Sequence, residues 1–243
     1  SDVAAFARNG VFTFGSEKMP KIRMLTAGHE VGMAYVVLSD SPIKSLADLK
    51  GKKVGATSTG ISLPLQELAK LYGVQPNEVE VVYITFAQQV EALKSRTIDM
   101  AVQSAYPRAS ALMDLTESSK VRFISGADKM SQLLEKHPYW KPREIPANTY
   151  KGQTQPYDGA PGQYLLVGIN ADVSEDLAYN LAKVILENTP DIAKAHPAGQ
   201  EYNLDQVKRF IDKKQVTVPF HPGAAKYLRE KGVVIDDSLV AGK

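Results

Sequence analysis

"KKVGATSTGISLPLQELAKLYG", residues 52–73, passes from an apolar segment through small hydroxylated residues into a helical pattern. Val54 to Thr57 read as a short buried strand. From Ile61 onward, Ile61, Leu65, Leu68, Ala69 and Tyr72 recur on one face of a helix. Between them lies a turn of small residues, Thr57, Ser58, Thr59 and Gly60. A strand that passes through a short polar turn into a helix is the repeating unit of α/β proteins with largely parallel sheets.

The spacing from Gly55 to Gly60 is that of a nucleotide P-loop, GxxxxG. That motif needs a lysine and then Ser or Thr after its second glycine, so that an ammonium reaches the β- and γ-phosphates. Here Ile61 and Ser62 follow, and isoleucine supplies no charge. The nucleotide reading fails on that residue. What survives is more general: a helix start offers unpaired N–H groups and a partial positive charge, and hydroxyls add donors. Such a turn suits a carboxylate or other small anion without a metal. The plainer alternative is that Ser58 or Thr59 simply caps the helix.

Working outward, the 243 residues are 44% hydrophobic and 23% charged. This length fits one large domain or two lobes of about 100–150 residues each. With 29 basic and 27 acidic residues, a formal net charge of +2 and no basic run, nucleic-acid binding has no electrostatic support. Cysteine is absent, which excludes disulfides, thiolate catalysis and Cys-based metal centres and is compatible with an oxidising compartment. No run of 18 apolar residues occurs, so no membrane insertion is expected. The opening "SDVAAFARNGVFTF" has neither Met nor a leader pattern and reads as a point inside a longer gene product.

Strands are predicted at Ala34–Ser39, Val79–Thr85, Ile98–Val102, Val121–Ser125 and Gln163–Asn170, with helical patterns between most of them. Ser45 and Asp48 form a capping box closed by Gly51, and Ser174 caps a long helix bearing Leu177, Leu181, Val184 and Ile185. A helix is expected near 204–213, and another with Pro222 at its first position and Gly232 as its stop. "QSAYPRAS", residues 103–110, reads as a small-residue loop. His137 to Gly162 reads as a long irregular connection of the kind that often carries function. Ala34–Ser39 and Gln163–Asn170 are read as two crossings between lobes.

Enzyme signatures are missing from the sequence. There is no HExxH, no close His pair and no GxSxG. His137, His196 and His221 each precede a proline and mark helix boundaries. Asp99, at a strand entry, is read as structural. Tyrosines are more suggestive: Tyr35, Tyr106, Tyr150, Tyr157 and Tyr164 offer a ring face and a hydroxyl to a bound metabolite, with lobe packing as the alternative. Arg108 offers a partner to a carboxylate.

"SPIKSLADLKGKKVGATSTGI", "FAQQVEALKSRTIDMAV", "EKHPYW…IPANTYKGQ" and "VPFHPGAAKYLREKG" together resemble the TAXI family of solute-binding proteins of TRAP transporters, over about residues 1–232. Within them, "IKSLADLKGKKVG" and "ALKSRTIDM" are widespread among type II binding proteins, whereas "IPANTYKGQ" and "HPGAAKYLREKG" are much more specific to TAXI proteins. The resemblance implies an α/β, two-lobed type II periplasmic binding protein fold, with residues 1–39 and 163–243 in lobe I and 40–162 in lobe II. It implies capture of a small carboxylate such as glutamate or glutamine by lobe closure, extracytoplasmic location, and delivery to TRAP membrane permease subunits. Family members open with a glycine-rich turn and two βα units ahead of residues resembling Ser1–Val3, so lobe I is expected to be incomplete in this chain, with an exposed edge. Ser1 would match a strand end that contacts ligand in the family.

The expectation is therefore a ligand-capture protein without cofactor or metal. The acid group sits at Thr57, Ser58, Thr59 and Gly60, with Tyr35, Gln103, Tyr106, Tyr164 and Ser1 as further contacts. A transferase-type enzyme or a regulator's effector domain on the same fold is the alternative, because fold alone does not determine function.

Overall fold

The computed structural model describes residues 2–106, 108–138 and 140–241. In chain order the elements are α1 (Asp2–Asn9), β1 (Ile22–Leu38), β2 (Lys53–Ala56), α2 (Thr59–Lys70), β3 (Glu80–Tyr83), α3 (Phe86–Lys94), β4 (Met100–Tyr106) and α4 (Ser110–Ser118). They continue with β5 (Val121–Ile124), α5 (Ala127–Lys136), β6 (Lys141–Pro142), β7 (Pro161–Asn170), α6 (Glu175–Glu187), α7 (Thr189–Ala195), α8 (Leu204–Asp212) and α9 (Pro222–Glu230). The protein is α/β, as its strand–helix rhythm requires. No helix of the described residues is long and apolar enough to cross a membrane.

The chain packs as two compact units, residues 31–163 and residues 1–30 with 164–243. The inserted unit thus begins nine residues earlier than the sequence reading placed it. Hydrogen bonding explains the shift: Gly32–Val36 pair with β4, and Tyr35–Leu38 pair with β5. β1 is also far longer than the Ala34–Ser39 segment read from sequence.

Within the 31–163 unit, β2 runs parallel to both β3 and β4, while β1 is antiparallel to β4 and β5. Val54, Ala56, Leu65, Leu68, Val90, Leu93, Ile98 and Met100 are buried around these strands. Gly55 has a packing reason: a Cβ there would lie 2.8 Å from Ile98 Cδ1 and 2.9 Å from Gln89 Cγ, so only glycine lets α3 approach this closely. Asp99 is structural, its N–H donating to the Lys53 carbonyl and its carboxylate accepting from the Lys53 N–H, both at 2.8 Å. The expected loop at 103–110 is instead strand as far as Tyr106.

The long connection is irregular, as read, and several of its side chains anchor it in the core. Trp140, Ile145, Tyr150 and Tyr157 are all buried. The Tyr157 hydroxyl donates to the Ile124 carbonyl at 2.9 Å and accepts from the Tyr35 N–H at 3.2 Å, extending the β1–β5 ladder through a side chain. Gln153 Nε2 donates to the carbonyls of Ile145, Pro146 and Gln155. Tyr150 and Tyr157 are therefore packing residues, and their hydroxyls are already engaged by backbone groups.

In the other unit, Met24, Leu25, Ala27, Phe210, Phe220 and Leu228 belong to one core cluster. On α6 the buried face is Ala178, Ala182 and Leu186, while Leu177, Leu181 and Val184 are 51%, 38% and 58% exposed. The leucines that the helix bears thus do not form its buried face. Helix α9 packs against α6 so closely that a Cβ on Gly223 would stand 2.0 Å from the Glu175 carbonyl oxygen, and alanines permit that approach where leucines would not. The caps read from sequence are present: Ser45 with Asp48, Ser174, and Pro222 at the start of α9.

Candidate functional site

Helices α2 and α3 each follow one strand of the parallel pair β2 and β3, so their N-termini lie at the same end of the sheet. Ligands of open α/β sheets gather at that carboxyl end of the strands. A cavity of about 410 Å³ lies there, lined by Thr57, Tyr83, Ile84, Thr85, Phe86 and Gln88. Tyr83 is 52% exposed, and its ring forms one wall.

Ser58 occupies the N-cap position of α2 with extended backbone, φ −165° and ψ 169°, yet its side chain makes no cap hydrogen bond. Its carbonyl accepts from the Ile61 and Ser62 N–H groups at 3.1 and 3.0 Å, which closes the first turn through the backbone. Ser58 and Thr59 are exposed, and Thr57 and Gly60 are half-buried. The Thr59 hydroxyl donates to the Tyr83 hydroxyl at 3.2 Å, and the Ser62 hydroxyl lies 3.5 Å from the same oxygen. Pro64 sits inside α2 and, lacking an N–H, cannot donate to the Gly60 carbonyl. The start of α2 is thus a hydroxyl-rich helix terminus whose cap side chain is not used as a cap.

Behind the cavity, Gln103 Nε2 donates to the Phe86 carbonyl and to Gln89 Oε1, both at 3.1 Å, and Gln89 Nε2 donates to the Ile84 carbonyl at 3.2 Å. The two glutamines pin the 84–86 segment from the rear. Gln103 is fully buried, and its Oε1 has no hydrogen-bond partner among the described residues.

The structure brings Thr57, Ser58, Thr59 and Gly60 together and gives several other candidates packing duties instead. Tyr35 is 1% exposed in β1, and burial drives its phenol well above the ordinary tyrosine value. Tyr164 is 4% exposed in the other unit, edge-on to Phe210 with centroids 5.6 Å apart. Gln103 holds backbone, as described. Tyr106 is half-buried at the end of β4, with the Arg143 guanidinium 3.9 Å over its ring. Arg143, Tyr83 and the Gln89–Gln103 pair went unread in the sequence. Only Tyr83 had a local signal, an aromatic at the end of a strand that precedes a helix. Ser1 lies outside the described residues.

Histidines act as helix punctuation. The His196 and His221 side chains accept from the N–H groups of Ala198 and Gly223, and His137 closes α5 beside Glu67 at 3.2 Å. Among the described residues no group of three or more His, Asp or Glu side chains is arranged to hold a metal ion.

The NMT1-like family is matched over residues 1–232. Among solved structures, similarity is found to the periplasmic aliphatic sulphonate binding protein SsuA from Escherichia coli, at 18% identity and a TM-score of 0.42, covering 93% of this chain and 58% of that one. XAC2383 from Xanthomonas citri bound to ATP matches at 13% identity and a TM-score of 0.45, covering 94% of this chain and 79% of that one. An ancestral arginine-binding protein bound to arginine matches at 17% identity and a TM-score of 0.42, covering 82% and 74%. The chain therefore spans 58% of the length of the Escherichia coli protein.

Proposed function

This chain belongs to the NMT1-like family, and from that premise we propose that it captures a small organic acid at the start of α2 as a solute-binding protein. The observation that carries the reading is the Ser58 hydroxyl, which stands at an N-cap position, exposed, and makes no cap bond. A helix terminus satisfies its first N–H groups with a side chain, with water or with a ligand. At α2 the side chain is withheld, Thr57 and Tyr83 line the cavity at this end of the sheet, and the Thr59 hydroxyl bonds that of Tyr83. Hydroxyl donors and the helix dipole together favour a carboxylate over a cation or a neutral apolar molecule.

The finer identity follows the sequence resemblance: a TAXI-type binding protein of a TRAP transporter, located outside the cytoplasm, taking a glutamate- or glutamine-like acid and passing it to membrane permease subunits. Its role is binding without chemistry. The test is titration calorimetry of the chain against a panel of amino acids, monoacids and diacids. At least one acid is expected to bind, and Ser58→Leu with Thr59→Leu is expected to weaken it more than about 100-fold by removing hydroxyls and covering the amides. Unchanged affinity in that double variant overturns the assignment.

A further inference from the structure

Helix α6 buries one face and exposes another. Ala178, Ala182 and Leu186 are buried, and α9 lies so near that a Cβ on Gly223 would meet the Glu175 carbonyl oxygen. Beside that face, Leu177, Leu181 and Val184 are exposed. Their spacing of four and then three residues aligns them in one stripe, the seam by which helices pair in coiled coils. Single exposed apolar side chains are ordinary, whereas several in line mark a contact surface.

The charges beside the stripe select its occupant. Asp176 and Lys183 are both exposed and flank the seam on the side away from the buried alanines, two helical turns apart. Neither forms a salt bridge among the described residues, whereas Glu187, further along, is held by Lys231 at 2.9 Å. A second α6 lying parallel would set each of these charges beside its like. A second α6 lying antiparallel sets Asp176 of each copy beside Lys183 of the other, brings Leu177 against Val184, and leaves Leu181 next to the two-fold axis. One surface then supplies both halves of the contact, as a two-fold pair requires. Along the other flank, Tyr179 donates its hydroxyl to Glu230 at 2.6 Å and has the Lys226 ammonium 5.7 Å from its ring, so that rim is satisfied within the chain.

We propose that the exposed stripe of α6 is a self-association surface, which pairs antiparallel with the same stripe of a second copy of this chain. Three apolar side chains and their rim cover less surface than a permanent dimer buries, so the pair is reversible, with a Kd on the order of 100 μM. It is independent of acid capture at α2 and forms with or without a solute.

Sedimentation velocity of the full chain from about 5 μM to about 1 mM is expected to show monomer giving way to dimer as concentration rises. Leu181→Glu is expected to leave a monomer throughout, with the melting temperature of the dilute protein unchanged. Val184→Lys is expected to do the same, and keeps the test open if the glutamate form fails to fold. Lys183→Asp sets like charges together at two symmetric places and is expected to weaken the dimer about tenfold. Adding Asp176→Lys restores opposite charges in reversed order and is expected to return the affinity to within about threefold of the original. A chain still monomeric at about 1 mM, a dimer that survives Leu181→Glu and Val184→Lys, or a dimer indifferent to the charge reversals overturns the proposal.

Discussion

Helices α2 and α3 begin side by side after parallel strands, and each has a hydroxyl residue at its N-cap, Ser58 and Thr85. They use that residue differently. At α3 the Thr85 hydroxyl accepts from the Gln88 N–H at 3.2 Å, and Gln88 Oε1 accepts from the Thr85 N–H at 2.9 Å, a closed capping box. At α2 the corresponding third position is Ile61, which has nothing to return, and the Ser58 side chain makes no cap bond. The residue that rules out nucleotide chemistry at this turn is also the one that leaves the turn uncapped. One helix start is closed by a side-chain box, and the other is closed through the Ser58 carbonyl and leaves its cap hydroxyl unused.

Installing the missing half of the box breaks this difference most directly. Ile61→Gln places at α2 the residue that closes α3, so it is expected to weaken acid binding by about tenfold, the value of one competed charge-assisted contact, while helix stability holds or rises. Calorimetry and thermal melting read the two effects separately. An unchanged affinity would mean that the α2 start is not the binding point. The next effect concerns stability alone. Thr85→Ala is expected to cost about 1 kcal/mol by loss of a working cap, whereas Ser58→Ala costs less than about 0.5 kcal/mol because no cap bond is lost. Urea unfolding of the two variants checks the ranking, and equal costs would contradict it.

The smallest effect comes from pH. Ser58, Thr59, Thr85 and Gln88 carry no ionisable group, so affinity should follow only the acid's own ionisation. Stability should not be flat. Burial holds the His137 imidazole below its ordinary value, against a smaller upward pull from Glu67, and His29 is lowered by burial as well. The unfolded chain then gains a proton before the folded chain does, so stability falls as pH drops through about 6.5. His137→Gln is expected to remove part of that slope in melting curves measured between pH 7 and 5, and a slope unchanged by the substitution would assign it to other groups.

Much of the architecture was legible because it rests on local chemistry. The Ser45–Asp48 box, the Ser174 cap, Pro222 at the head of α9 and the alternation of strands with helices all depend on neighbours within a few residues. Tertiary choices were not legible. Helix α6 carries two stripes, and bulk hydrophobicity points to Leu177, Leu181 and Val184, yet close packing on α9 selects the alanines. Tyrosine is equally suited to a ligand and to a core; Tyr35 is buried in β1, and Tyr150, Tyr157 and Tyr164 went to the core because backbone groups or aromatic neighbours met their side chains there.

The hydroxyl turn of the site was readable, since its residues are consecutive. The Thr85–Gln88 box was readable by the same rule that found Ser45, and it marks α2 as the exception. Arg143 was not readable: its place depends on Tyr106, Gly32 and Gly162, residues joined only by the sheet.

Amide resonances distinguish the two helix starts. In ¹H–¹⁵N spectra recorded as a bound acid is titrated in, the N–H signals of Thr59, Gly60 and Ile61 are expected to move downfield and saturate with the calorimetric affinity, while those of Phe86, Ala87 and Gln88 stay near their starting positions. Saturating shifts at the start of α3 with none at the start of α2 would contradict the account.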